Sequence, residues 1–202
     1  MAEDVKGIID EHDLQNVTLI GHSMGAKIAL TVALQCPESV GNVIAIDNIP
    51  IHLPLSDDFH QYIEALKRVE QAKVTTHAQA DFIVREYEKS SIIRFFLLTN
   101  LVSSPESSYL RFRIPLDVLS TALGPLEDFP FAAEEGINFN KPVLFIRATQ
   151  SHYIPHSALP QIRLFFPNAS LVEMDCGHWV IQEKPEQFAQ CKIDITHLRA
   201  YI

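Results

Sequence analysis

The stretch VTLIGHSMGAKIAL, residues 17 to 30, decides the interpretation of this chain. It opens with an apolar run, Val17 to Ile20, of the kind found in strands buried on both faces of a parallel sheet. Gly21 closes that run, and a helix is expected from about Met24 to Gln35, because Pro37 stops it. The letters GHSMG between them fit the pattern G-x-S-x-G, which between a strand and a helix is typical of a nucleophilic serine.

The turn at Ser23 is expected to be sterically demanding. A strand that turns at once into a helix forces the serine into a strained backbone conformation, and we expect side chains larger than hydrogen to collide at Gly21 and Gly25. The Ser23 hydroxyl then lies at the carboxyl edge of the sheet, where the backbone N–H of Met24 can face an oxyanion. The alternative is a tight turn with an incidental serine. His22 is interpreted as part of the wall of this elbow rather than as a base.

Further apolar runs and amphipathic segments alternate along the rest of the chain. The predicted strands are Asn42 to Asp47, Pro142 to Ala148 and Ala169 to Asp175. The predicted helices outside the middle of the chain are Glu3 to Glu11, Met24 to Gln35, Ser157 to Phe165 and Pro185 to Ile193. Strands that alternate with helices predict an α/β fold with a parallel sheet.

Residues 51–140 break this alternation. Four segments there have a helical pattern, and none is a convincing strand. We therefore predict a single domain whose core comprises residues 1–50 and 141–202, with a helical cap insertion at about 51–140. The large apolar residues of the insertion can belong to its core or contact a substrate; they are Phe82, Phe95, Phe96, Leu97 and Leu98.

Composition excludes several classes of function. The 202 residues are 47% hydrophobic and carry a net charge of −9, and no dense Lys/Arg run is present, which argues against nucleic acid or an anionic membrane as partner. The scattered residues Cys36, Cys176 and Cys191 form neither a disulfide framework nor a metal-binding spacing. We therefore predict no metal site and no bound cofactor. The longest apolar block, residues 91–102, contains Arg94 and is too short to span a bilayer.

A serine nucleophile needs a base, and His178 is the best candidate. It follows the last predicted strand in MDCGHWVIQEKP, where Gly177 permits a turn, and in α/β-hydrolases the chain order is Ser, acid, His. The alternative is a histidine in a surface loop. Of the other eight histidines, His22 belongs to the elbow and seven are weaker candidates: His152 and His156 can line the site, and His12, His52, His60, His77 and His197 lie in helical or cap-like stretches.

The acid that orients the base is less obvious. The loop after the strand ending at Ala148 reads TQSHYIPHSALPQ and contains no Asp or Glu. Asp47 ends the preceding strand, and catalytic groups collect at the carboxyl ends of strands in an open parallel sheet. We favour Asp47 over its rival Asp175, which lies only three residues before His178. A role for Asp47 as a turn or cap residue remains the alternative.

Two stretches together carry a family resemblance: VTLIGHSMGAKIALTVALQCPESVGNVIAIDNIP and CGHWVIQEKPEQF. They closely resemble the α/β-hydrolase-fold group that contains the fungal mitochondrial ethanol acetyltransferases, with animal mitochondrial abhydrolase-domain proteins as relatives. In that group the acid follows the strand after the nucleophile helix, so the resemblance assigns Ser23, Asp47 and His178 as a catalytic triad. It also implies a mitochondrial location.

The activity that this resemblance implies is acyl transfer. Acetyl-CoA is the expected acyl donor and acetylates Ser23, and ethanol then attacks the acetyl-enzyme to give ethyl acetate. Water can replace ethanol, so esterase and thioesterase activities are expected as well. The residues of the motif do not determine whether alcohol or water is the acceptor. A carboxylesterase or thioesterase that uses water is therefore the alternative.

Members of the group also have strands and helices before the helix that begins this chain. Among them is an HGxxG-like loop that supplies a second oxyanion N–H, and nothing of that kind precedes Gly21. The sequence therefore predicts an α/β-hydrolase sheet without its N-terminal strands. The edge of the strand VTLI is then exposed and can pair with another chain. A third hypothesis follows, in which the chain is an inactive fragment that acts only as a binding module.

Overall fold

The structure is a computed structural model that describes residues 1–105 and 107–190. These residues form two compact units. The first comprises Met1–His52 together with the described residues from Phe129 onward, and the second comprises Leu53–Asp128.

The first unit begins with two helices and two strands in alternation: α1 (Ala2–Glu11), β1 (Val17–His22), α2 (Met24–Gln35) and β2 (Val40–Ile46). Helix α2 has the predicted bounds, whereas β1 continues two residues beyond Ile20. Most of α2 is buried, including Ala26, Ala29, Leu30 and Ala33. This spacing of three and four residues turns one small-residue face toward the hydrophobic core.

The second unit is mainly helical. In order, its elements are α3 (Asp57–Gln71), α4 (His77–Val84), α5 (Ser91–Leu97), β3 (Leu101–Val102), β4 (Arg111–Phe112) and α6 (Leu116–Ala122). The expectation of no strand in this region is wrong, because β3 and β4 form a short antiparallel pair. Two residues on each side are too few for a recognisable alternation of polar and apolar positions. None of the helices in the described residues is long and apolar enough to cross a membrane.

A small core holds the helical unit together. Helix α3 contributes Ala65, Leu66 and Val69, which recur at helical spacing and are all buried. Leu98 is buried there too, but Phe82, Phe95 and Phe96 are 69%, 77% and 40% exposed. Membership of the core is therefore wrong for these three phenylalanines, and substrate contact by them stays a prediction.

The chain then returns to the first unit through β5 (Val143–Ala148), α7 (Leu159–Phe165), β6 (Ala169–Met174) and the short helix α8 (Val180–Glu183). Residues 185–190 are helical, and the remainder of the helix predicted to end at Ile193, like His197, lies outside the described residues. The first unit includes residues 129–140, which the sequence assigned to the insertion. Its core packs against Phe129 and Phe131 and fully buries Phe139.

Four parallel strands form the sheet of the first unit, in the order β1-β2-β5-β6. Every residue of β2 and β5 is buried. Strand β1 lies at an edge of this sheet, and Ile20 is 48% exposed. The expectation that the apolar run of β1 is buried on both faces is therefore wrong. The carboxyl ends of the strands meet at one edge, where Ser23 and Asp47 directly follow β1 and β2.

Candidate active site

Ser23 occupies the single position between β1 and α2. Its backbone dihedral angles are φ 55° and ψ −117°, a conformation that costs a non-glycine residue about 1–3 kcal/mol. Its N–H donates to the Ile46 carbonyl at 2.9 Å, and its carbonyl accepts from the Ala26 N–H at 3.0 Å. Helix α2 is described throughout, and the Ser23 hydroxyl makes no capping hydrogen bond to it. The hydroxyl is therefore not committed to the helix end.

The two glycines of the motif differ in their steric role. A Cβ at Gly21 would lie 2.0 Å from the carbonyl oxygen of Gly25, so only glycine permits the close approach of β1 to α2. A Cβ at Gly25 would meet no atom of the described residues within 4 Å, apart from its chain neighbours and its own helix. The expected collision therefore holds at Gly21 and is wrong at Gly25.

Met24 is the first residue of α2. The first four N–H groups of a helix have no partner within it, and the helix dipole adds partial positive charge there. The Met24 N–H therefore has the position that an oxyanion donor beside Ser23 requires. This role stays a prediction.

Asp47 and His178 form the central contact of the site. Asp47 is completely buried, and its Oδ2 lies 2.8 Å from Nδ1 of His178. The other oxygen, Oδ1, accepts from the Ala148 N–H at 3.2 Å. A carboxylate can only accept, so Nδ1 of His178 carries the proton and Nε2 is the basic nitrogen of the neutral ring. The structure thus joins the predicted acid to the predicted base.

Asp175, the rival acid, has different partners. It accepts from the Thr149 hydroxyl at 3.2 Å and from the Gln150 side-chain amide at 3.0 Å. These hydrogen bonds, that of Gln150 first, hold the pKa of the exposed Asp175 carboxyl below its usual value. Asp175 therefore ties the ends of β5 and β6 together, while Asp47 contacts the imidazole.

Three aromatic rings surround the imidazole of His178. The ring centroids of Tyr153, His22 and Trp179 lie 4.5, 4.7 and 5.8 Å from its centroid. Nε2 of His22 also lies 2.7 Å from the backbone carbonyl oxygen of His178. Burial and the neighbouring His178 lower the pKa of His22, so His22 is neutral at neutral pH.

Sequence reasoning missed Tyr153. It identified the correct loop but singled out His152 and His156, both of which are exposed. His156 lies 3.6 Å from the carboxylate of Glu173. Tyr153 is the aromatic residue between these two histidines, and its ring character is the signal that could have identified it.

Arg147 was also missed. It is 5% exposed on β5, and its Nε donates to the Ile154 carbonyl at 2.6 Å while Nη1 donates to Glu173 at 2.8 Å. Arg147 thereby anchors the loop that carries Tyr153. The signal was a charged residue within the apolar run PVLFIRA, because a buried arginine requires partners.

Two neighbours of the base complete the loop. Gly177 lies in the loop between β6 and α8, and its N–H donates to Glu183 at 3.0 Å. The expectation that Gly177 permits a turn that aims His178 stays a prediction. Cys176 is buried, which raises the pKa of its thiol to about 11. Within the described residues no group of three or more His, Cys, Asp and Glu side chains is arranged to hold a metal ion.

The order and geometry of these groups define a class of protein. Ser, Asp and His follow three strand ends in the chain order of α/β-hydrolases. A family model for the alpha/beta hydrolase fold matches residues 1–185. The chain therefore belongs to the α/β-hydrolase fold family.

Several known proteins are similar to this chain. An abhydrolase domain-containing protein of Schizosaccharomyces pombe is 38% identical over 98% of this chain and 73% of its own length. A probable alcohol acetyltransferase of Saccharomyces cerevisiae is 38% identical over 97% of this chain, and an sn-1-specific diacylglycerol lipase of Xenopus laevis is 36% identical over 93%. The expected resemblance to alcohol acetyltransferases and abhydrolase-domain proteins is thus confirmed. This chain spans 62% of the acetyltransferase and 60% of the lipase.

A solved structure is similar throughout the fold. A marine microorganism esterase superposes with a TM-score of 0.87 at 27% identity, over 96% of this chain and 75% of the esterase. The predicted fold class, α/β with a parallel sheet, is thereby confirmed.

Proposed function

We propose that this protein transfers acyl groups through a covalent ester on Ser23. The observation that supports this most directly is the 2.8 Å hydrogen bond between the buried Asp47 and Nδ1 of His178, at the sheet edge where the strained Ser23 follows β1. This bond leaves Nε2 of His178 as the base.

The reaction has two half-reactions. His178 Nε2 takes the proton of the Ser23 hydroxyl as Oγ attacks the acyl carbonyl, and the oxyanion forms beside the Met24 N–H. Collapse of this intermediate expels the leaving group, which receives the proton from His178. An alcohol or water then gives its proton to His178 as it attacks the acyl-enzyme, and collapse of this second intermediate returns the proton to Ser23 Oγ and releases the ester or acid.

Acetyl-CoA is the proposed donor and ethanol the proposed acceptor, which gives ethyl acetate. The support is the similarity to proteins named as alcohol acetyltransferases, one of them 38% identical. A mitochondrial location is proposed on the same ground.

Hydrolysis is the second candidate, because the relatives also include a diacylglycerol lipase and an esterase. Water then attacks the acyl-enzyme, and carboxylic ester or thioester substrates are cleaved. Ser23, Asp47 and His178 have the same roles in both reactions. Only the acceptor, alcohol or water, distinguishes the transferase from the hydrolase.

The first test asks whether Ser23 is a nucleophile. The 202-residue chain is incubated with a fluorophosphonate probe, with Ser23→Ala as the control. We expect labelling of the wild type alone, mapped to Ser23 by mass spectrometry. An unlabelled, folded wild-type chain would contradict the proposal and favour a binding module, with the edge of β1 as its proposed pairing surface.

The second test identifies the acceptor. Acetyl-CoA is supplied with ethanol in water, and ethyl acetate and acetate are quantified together. Ethyl acetate as the main product supports the transferase, and acetate alone supports the hydrolase. If Ser23→Ala formed either product at the wild-type rate, neither candidate would stand.

A further inference from the structure

The proposed reaction assigns no role to His22. His22 is partly buried at the end of β1, and its ring lies against that of His178. Its Nε2 is 2.7 Å from the backbone carbonyl oxygen of His178. A carbonyl oxygen only accepts hydrogen bonds, so His22 must donate, and the proton of its neutral ring is on Nε2.

We propose that His22 is a positioning residue that fixes the base by donating a hydrogen bond to the backbone of His178. This inference rests on the proposed function, because it assigns His22 a role in the reaction at Ser23. The role is distinct from that of Asp47, which contacts the imidazole of His178 rather than its backbone.

This hydrogen bond joins the backbone of His178 to a regular element. Residues 175–179 lie between β6 and α8 and belong to neither a helix nor a strand. His22, in contrast, is held by the sheet, where it pairs with Ile46. The hydrogen bond therefore ties an irregular loop to the strand that carries the nucleophile.

The connection between Ser23 and His178 through His22 is short. Ser23 follows His22 directly, so one peptide bond and one side-chain hydrogen bond connect the nucleophile residue to the base residue. A displacement of the base by about 1 Å can lower a rate by about 10²-fold. A fixed distance between the two residues therefore bears on the rate of the reaction.

His22 is not itself suited to be the base. Its Nε2–H is engaged by the His178 carbonyl, and Asp47 contacts His178 instead. Burial and the charge of His178 lower the pKa of His22 and outweigh the hydrogen bond to the His178 carbonyl, which raises it, so the ring stays neutral. A neutral His22 does not repel the imidazolium that forms on His178 during acyl transfer.

Two substitutions separate the hydrogen bond from the ring contact. His22→Phe keeps an aromatic ring beside His178 but removes the donor, whereas His22→Gln keeps an N–H donor and removes the ring. The rate of Ser23 labelling by a fluorophosphonate and the kcat and KM for p-nitrophenyl acetate are measured for both, with wild type and Ser23→Ala as references.

We expect His22→Phe to lower the labelling rate and kcat by about 10- to 100-fold with KM within about twofold. His22→Gln should recover most of that loss. Equal loss in both variants, or wild-type rates in His22→Phe at an unchanged melting temperature, would refute the positioning role.

Nitrogen-15 NMR of the imidazole rings supplies a readout that does not need turnover. We expect the Nε2–H tautomer for His22 and the Nδ1–H tautomer for His178, with the His178 Nδ1–H resonance shifted in His22→Phe and restored toward wild type in His22→Gln. An Nδ1–H tautomer for His22 would overturn this inference even if Ser23 reacts. An unreactive Ser23 with the expected tautomers would instead overturn the proposed function.

Discussion

Two aspartates each follow the last residue of a strand in the same sheet, and they differ in almost every physical respect. Asp47, after β2, is completely buried, has φ 48° and accepts from the imidazole of His178. Asp175, after β6, is exposed and accepts from Thr149 and Gln150. The comparison teaches that proximity in sequence to the base does not select its partner. The inner strand β2 places Asp47 next to the imidazole of His178. Asp175 instead lies next to Thr149 and Gln150, which follow β5.

The largest expected effect separates these two aspartates directly. Asp47→Asn should lower the rate of Ser23 acylation by about 10³- to 10⁴-fold, because Asn at this position no longer favours the Nδ1–H tautomer of His178. Asp175→Asn is the matched control and should change the rate less than about threefold, since it does not contact the imidazole. Stopped-flow acylation with p-nitrophenyl acetate measures both. The reverse ranking would reassign the acid to Asp175.

Two glycines, Gly21 in β1 and Gly177 after β6, give the second test. Gly21→Ala should destabilise the fold by about 3 kcal/mol, because the new Cβ meets the rigid backbone of Gly25 at 2.0 Å. Gly177→Ala meets only the flexible Glu183 carboxylate, at 2.9 Å, and should cost about 1 kcal/mol or less. Thermal unfolding followed by circular dichroism should therefore show a drop of roughly 6–12 °C for Gly21→Ala alone. Equal drops in melting temperature would mean that the surroundings of Gly21 accommodate a new Cβ as easily as those of Gly177.

Cys176 directly follows the exposed Asp175 and is itself buried, and its reactivity tests this difference in burial. Its raised pKa, about 11, leaves little thiolate at pH 8, so iodoacetamide should alkylate it at least about 10²-fold more slowly in the native chain than in urea. Cys36, which is less buried, is the internal reference, and peptide mass spectrometry resolves the two. Fast alkylation of Cys176 in the native chain would mean that its thiol is exposed to solvent.

The smallest expected effect is a pH dependence at Asp175. Its hydrogen bonds lower the pKa of the folded state below that of the unfolded state, so the stabilisation is present above about pH 4 and is lost as the pH falls through the folded pKa. Asp175→Asn should therefore lower the melting temperature slightly at pH 6 and have no effect near pH 2. Thr149→Val, which removes one donor, should reproduce part of this pattern. A deficit that grows at low pH would contradict the assignment.

Local patterns accounted for much of the fold. The apolar runs identified all four strands of the parallel sheet, and Pro37 indicated where α2 ends. These patterns did not identify β3 and β4, because two residues are too few to show the alternation of polar and apolar positions that marks a strand. They also misjudged the burial of β1 and the collision at Gly25, because both depend on which atoms of the folded chain lie nearby.

The sequence by itself determined the candidate residues of this site: a serine in G-x-S-x-G between a strand and a helix, a histidine after the last strand, and a choice between two aspartates. Only the tertiary structure decided the contacts. It joined Asp47 to His178, tied Asp175 to Thr149 and Gln150, and set His22 and Tyr153 against the imidazole. The physical reason is that a motif specifies the backbone over a few residues. A hydrogen bond between residues 131 positions apart in sequence depends instead on strand order and register, which the packing of the whole sheet fixes.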